Sequence, residues 1–81
     1  MPNNNVVNIR AGERTRLLMM DAISAHISRY GWAPTLREIA QEVGISSPST
    51  ILKHLHTLER EGKLVLGGGP RMIRLVDGRR L

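Results

Sequence analysis

Cysteine and phenylalanine are absent from this chain, and tryptophan and tyrosine occur once each. Without cysteine no disulfide can staple the core, and the composition fits a reducing compartment. With so few aromatic rings, stacking on single-stranded nucleic acid is unsupported. No apolar run approaches membrane-spanning length, and the opening MPNNNVVNIRAG lacks the hydrophobic stretch of a signal peptide. No internal repeat and no heptad seam are visible. The chain has 81 residues, enough for one small domain with a thin core.

Positive charge is plentiful and uneven. Residues 1–47 hold five Lys/Arg against four Asp/Glu, and residues 48–81 hold seven against three. The net +5 therefore divides into +1 and +4. A basic second half suits a polyanionic partner.

The stretch PTLREIAQEVGISSPSTILKHLHTLEREG, residues 34–62, is the most informative. Thr35 followed by Glu38 reads as a capping box, in which the hydroxyl and the carboxylate each accept from a backbone N–H of the other residue. Leu36, Ile39, Ala40 and Val43 recur at helical spacing, and Gly44 supplies a left-handed stop. Ser47 then reads as the cap of another helix with Pro48 at its first position. That helix runs to about Glu61 and stops at Gly62. Two helices joined by a short turn form a helix-turn-helix, whose second helix commonly lies in the major groove of DNA.

The flanks complete a mainly α fold with a small β-hairpin, a three-helix winged helix-turn-helix. Residues 1–11 read as a flexible extension, 12–76 as the domain and 77–81 as a basic tail. A first helix spans about Gly12 to Tyr30, with Leu17, Met19, Met20, Ile23 and Ile27 as its buried stripe. Trp32 is expected to cover the helix junction. After Gly62 the period changes. Lys-Leu-Val-Leu and Arg-Met-Ile-Arg-Leu-Val read as strands around a projecting Gly-Gly-Gly-Pro loop.

From about Arg14 to Val76 the chain resembles the amino-terminal DNA-binding domain of the LexA repressors. The resemblance rests on the first helix ending at Gly31, PTLREIAQEVG, ISSPST, HLHTLEREGKL and PRMIRLV. It implies a bacterial or phage transcription factor acting in the cytoplasm on the nucleoid, with a recognition helix beginning at Ser47. LexA repressors continue into a self-cleaving domain with a serine–lysine dyad, which this sequence does not contain. Ala11-Gly12 mimics that family's cleavage pair by chance. The expectation is a DNA reader alone, either a fragment of a larger repressor or a small protein of a phage or mobile element, the second being mildly favoured.

On the recognition helix, about 100° per residue puts Ile51, Leu55 and Leu58 on one face. Ser49, Lys53, His56 and Arg60 project opposite, flanked by Thr50 and Thr57, with Leu52 at the border. The resemblance implies that Ser47, Ser49, Thr50 and Lys53 occupy operator-contacting positions. Hydroxyls donate or accept, and lysine suits the O6/N7 edge of guanine. Members of the family often carry polar or acidic residues at 52 and 53, where this chain has Leu-Lys. Lys63 and Arg71 are the expected wing contacts, Arg71 also matching a family wing position. Arg74 is expected to solvate the sheet, His54 to lie at the core edge and His56 near the phosphates.

Catalysis and metal binding find no support. His54 and His56 are two apart, whereas a helical zinc pair prefers four. The glycine run joins two strands and so is not a phosphate loop. No cofactor, metal or membrane is expected. The expected partner is a double-stranded operator, bound by a protein that is mainly monomeric when free and can pair on a palindromic site. The competing function is a winged-helix module that binds a host repressor or RNA polymerase.

Overall fold

The computed structural model describes residues 11–69 and 71–76. The expected N-terminal extension (but for Ala11), the basic tail and Pro70 of the wing lie outside them. The order is α1 (Ala11–Tyr30), α2 (Leu36–Val43), α3 (Pro48–Arg60), β1 (Leu64–Leu66) and β2 (Ile73–Leu75). This is the expected mainly helical winged helix-turn-helix.

Local chemistry sets each boundary. The amide of Thr35 donates to Glu38 Oε1 at 2.9 Å and the amide of Glu38 donates to Thr35 Oγ1 at 3.2 Å. Two otherwise unpaired donors at the start of α2 are thereby satisfied. Gly44 ends α2 at φ 79°, where its amide and that of Ile45 both donate to the Ala40 carbonyl. A left-handed residue with no Cβ closes the helix there without steric cost.

The core is one cluster. Met19 and Ile23 of α1, Ile39 and Ala40 of α2, and Ile51, Leu55 and Leu58 of α3 meet Leu64 and Ile73 of the hairpin. α3 packs on α1, α2 and β1 together. Two expectations about packing are corrected. Leu17 is exposed, because it lies well round the helix from Met19 and Ile23. Trp32 is also exposed and stacks on Tyr30 at 6.0 Å between ring centroids. The smaller Ala33 and Pro34 fill the junction instead.

β1 and β2 pair antiparallel, Leu64 opposite Leu75, Val65 opposite Arg74 and Leu66 opposite Ile73. Alternation turns Leu64, Leu66, Ile73 and Leu75 inward and leaves Val65 and Arg74 exposed. Arg74 thus solvates the sheet, as expected. The wing closes through the Gly67 amide, which donates to the Met72 carbonyl at 2.6 Å. A Cβ at Gly67 would stand 2.7 Å from Met72 Cβ, so this approach requires glycine.

Two side chains fasten the wing to the helices. Glu59 of α3 accepts the Leu66 amide at 3.1 Å, which fixes the far end of β1. Arg71 forks onto Glu38, with distances of 2.8 and 3.0 Å, and donates to the Ala33 carbonyl at 3.0 Å. Arg71 first, and then the Thr35 amide, hold the Glu38 carboxyl down at about 2 from its ordinary 4.5.

Ile51→Ala and Leu55→Ala should each destabilise the domain by roughly 2–5 kcal/mol, since each leaves a cavity among close-packed neighbours. Thermal and urea unfolding followed by circular dichroism measures the loss. Acid exposes the Glu38 clamp. Because its folded pKa is depressed, its contribution is complete above about pH 4.5 and declines towards about pH 2. Urea midpoints measured down that range should fall less for Glu38→Gln than for the parent. Equal falls would show that the clamp does not stabilise the fold.

Candidate nucleic-acid interface

α3 is two-sided. Ile51, Leu55 and Leu58 are sealed in the core, while Ser49, Thr50, Leu52, Lys53, His56 and Arg60 are exposed and Ser47 is half-buried. Ser49, Leu52, Lys53 and His56 stand at i, i+3, i+4 and i+7, the spacing of neighbours along one helical face. Arg60 continues that stripe by four residues.

The start of α3 departs from expectation in one detail. Ser47 occupies the N-cap position with extended backbone, but its hydroxyl makes no capping bond. It bonds the Ser49 hydroxyl at 3.0 Å instead. The Ser47 carbonyl still accepts from the Thr50 and Ile51 amides, at 3.1 and 3.3 Å. Pro48 needs no partner for an N–H and presets the first helical φ, so α3 begins without a side-chain cap. The result is a pair of linked hydroxyls at the tip of the helix, able to donate or accept outward.

Further along, Thr57 Oγ1 donates to the Lys53 carbonyl at 3.2 Å and accepts from Arg60 at 3.4 Å. His56 Nδ1 lies 4.0 Å from Glu59 Oε1. Among the described residues, Lys53 and Lys63 form no ion pair, so both ammonium groups face solvent. His54 sits at the inner edge, as expected. Arg16 of α1 donates to its Nδ1 at 3.3 Å, which selects the neutral tautomer with hydrogen on Nε2. Burial first, and then the Arg16 charge, lower the His54 pKa below its ordinary 6.5. The two neighbouring histidines therefore differ in kind: His54 is a neutral packing group between α1 and α3, and His56 lies on the exposed stripe.

The wing brings Lys63, at the foot of β1, to the same end of the molecule as the last turn of α3. Arg71 is also in the wing, but its guanidinium is engaged by Glu38 and the Ala33 carbonyl. The partners of Arg71 were not legible in sequence, because Glu38 lies 33 positions away and already had a local capping role. The Glu59 bond to the Leu66 amide was missed for a related reason: it crosses the α3–β1 turn between residues seven apart. Among the described residues no group of three or more His, Cys, Asp or Glu is placed to hold a metal, and no helix is long and apolar enough to cross a membrane.

A family model described as the LexA DNA binding domain matches residues 13–71. The LexA repressor of Geotalea uraniireducens (strain Rf4) is 40% identical over 52 residues, which are 64% of this chain and 26% of that repressor. The similarity thus spans about a quarter of that relative's length. The matched region runs from the first turns of α1, through the helix-turn-helix, to Arg71 in the wing, and this chain belongs to the LexA DNA-binding domain family.

Proposed function

We propose that this domain binds a specific double-stranded operator and represses transcription by occupying it. α3 lies in the major groove, with Ser47, Ser49, Thr50, Leu52 and Lys53 at base edges or adjacent phosphates. His56, Arg60 and Lys63 meet the backbone. The carrying observation is the exposed, mainly polar stripe of α3 opposite a fully buried apolar stripe. A helix so anchored can project side chains into a groove without disturbing the core. The uneven charge, with +4 in residues 48–81, supports the same reading. The repressor activity of the Geotalea relative points the same way. The free domain is mainly a monomer, and two copies can meet on a palindromic site.

Arg71 belongs to this reading in a second capacity. Its fork onto Glu38 sets where the wing stands relative to α2. It therefore supports phosphate contact by the wing rather than offering an unpaired cation at the tip.

Binding should fall steeply with salt, each phosphate contact contributing a slope of about −0.9 in log K against log salt. Lys63→Ala and Arg60→Ala should each flatten that slope by about one such unit and weaken all duplexes alike. Lys53→Ala and Ser49→Ala should instead change the base preferred at one position, by roughly 1–3 kcal/mol for lysine and less for serine. A panel of single-base variants of a duplex selected from a random pool provides the readout. A slope near zero would exclude DNA and favour a protein partner.

Arg71→Ala and Glu38→Gln should weaken every duplex by a similar factor, because either change releases the wing. Direct contact of Arg71 with phosphate would give the opposite pattern. Glu38→Gln would then leave affinity unchanged or raise it, while Arg71→Ala lowered it and flattened the slope.

A further inference from the structure

Leu52 breaks the chemistry of the exposed stripe. The other large apolar residues of α3 are sealed, with Ile51 0%, Leu55 1% and Leu58 2% exposed, whereas Leu52 is 38% exposed. It stands between Ser49 and His56 and beside Lys53, in the first half of the helix, where recognition helices reach base edges. On the floor of the major groove the apolar feature is the C5-methyl group of a pyrimidine.

We infer that Leu52 reads a thymine methyl group in the operator. The inference rests on α3 being the groove helix and adds a named base to that reading. Two pyrimidines carry this methyl, thymine and 5-methylcytosine. Thymine is the one that unmodified DNA carries, and it is the base assigned to Leu52. Contact between the isobutyl group and the methyl removes apolar surface of both from water. The buried surface is about that of one methyl group, which corresponds to roughly a fourfold change in affinity.

The test begins with a duplex selected from a random pool. Each thymine is replaced in turn by deoxyuridine, which deletes the methyl and keeps every hydrogen-bonding group. The wild-type domain should lose about fourfold at one thymine. Leu52→Ala should bind the thymine and deoxyuridine forms equally, at about the wild-type affinity for deoxyuridine. Leu52 is exposed and alanine is a strong helix former, so the variant should keep its circular dichroism spectrum. Leu52→Met, which retains apolar reach, should keep the sensitivity. At that position thymine should bind tighter than 5-methylcytosine, and 5-methylcytosine tighter than cytosine.

Indifference of the wild type to every deoxyuridine replacement would overturn the inference. So would a penalty that persists undiminished in Leu52→Ala. Tighter binding of 5-methylcytosine than thymine would overturn the choice of base. Each of these results leaves salt-dependent binding to the selected duplex intact, so it is separable from failure of the DNA reading itself. Failure to select any duplex would remove both.

Discussion

The rotation of α3 about its own axis depends on three side chains. Ile51, Leu55 and Leu58 are each at most 2% exposed. They engage a core contributed by α1, α2 and the hairpin together. A helix held this way on several sides has no freedom to roll. What faces outward is then decided by about 100° per residue and not by preferences of the outward residues themselves. Ser49, Leu52, Lys53, His56 and Arg60 share a face because the opposite face is occupied. A domain without disulfides, with a core of mainly aliphatic residues, thus presents an exposed, mainly polar face on a rigid element.

The second constraint is one carboxylate. Glu38 completes the cap of α2 through the Thr35 amide and receives the guanidinium of Arg71. An exposed ion pair of a single bond contributes little, but a planar fork on a carboxylate fixes distance and direction together. That geometry joins the start of α2 to the wing, while Glu59 joins the end of α3 to β1. Both attachments lie at the turn end of the hairpin, Leu66 as the last residue of β1 and Arg71 within the connection to β2. The wing is therefore oriented by side chains of the helices as well as by its own short ladder.

Much of this was legible in the sequence where the chemistry is local. The capping box involves residues three apart, and the glycine stop follows from one dihedral requirement, so both were readable from residue types and spacing. The buried stripe of α3 and the inward alternation of β1 and β2 follow from period alone. What escaped was decided by choices among partners. The Ser47 hydroxyl could bond a backbone amide or another hydroxyl, and it takes Ser49. Trp32 could cover the α1–α2 junction, but Ala33 and Pro34 fill that space and the indole stacks on Tyr30. Arg71 could reach outward or fold back, and a carboxylate brought close by the fold captures it. Pairings between residues distant in sequence leave no periodic signal.

The most direct test of the central claim, that the outward face of α3 reads duplex DNA, is an NMR titration of backbone amides with a duplex selected from random sequence. The largest perturbations should fall in residues 47–57, with a second group in the wing around residues 63–72. The amides of α1 near Tyr30 and Trp32 should stay close to their free positions. Perturbations centred on that aromatic pair, with residues 47–57 unmoved, would contradict the account.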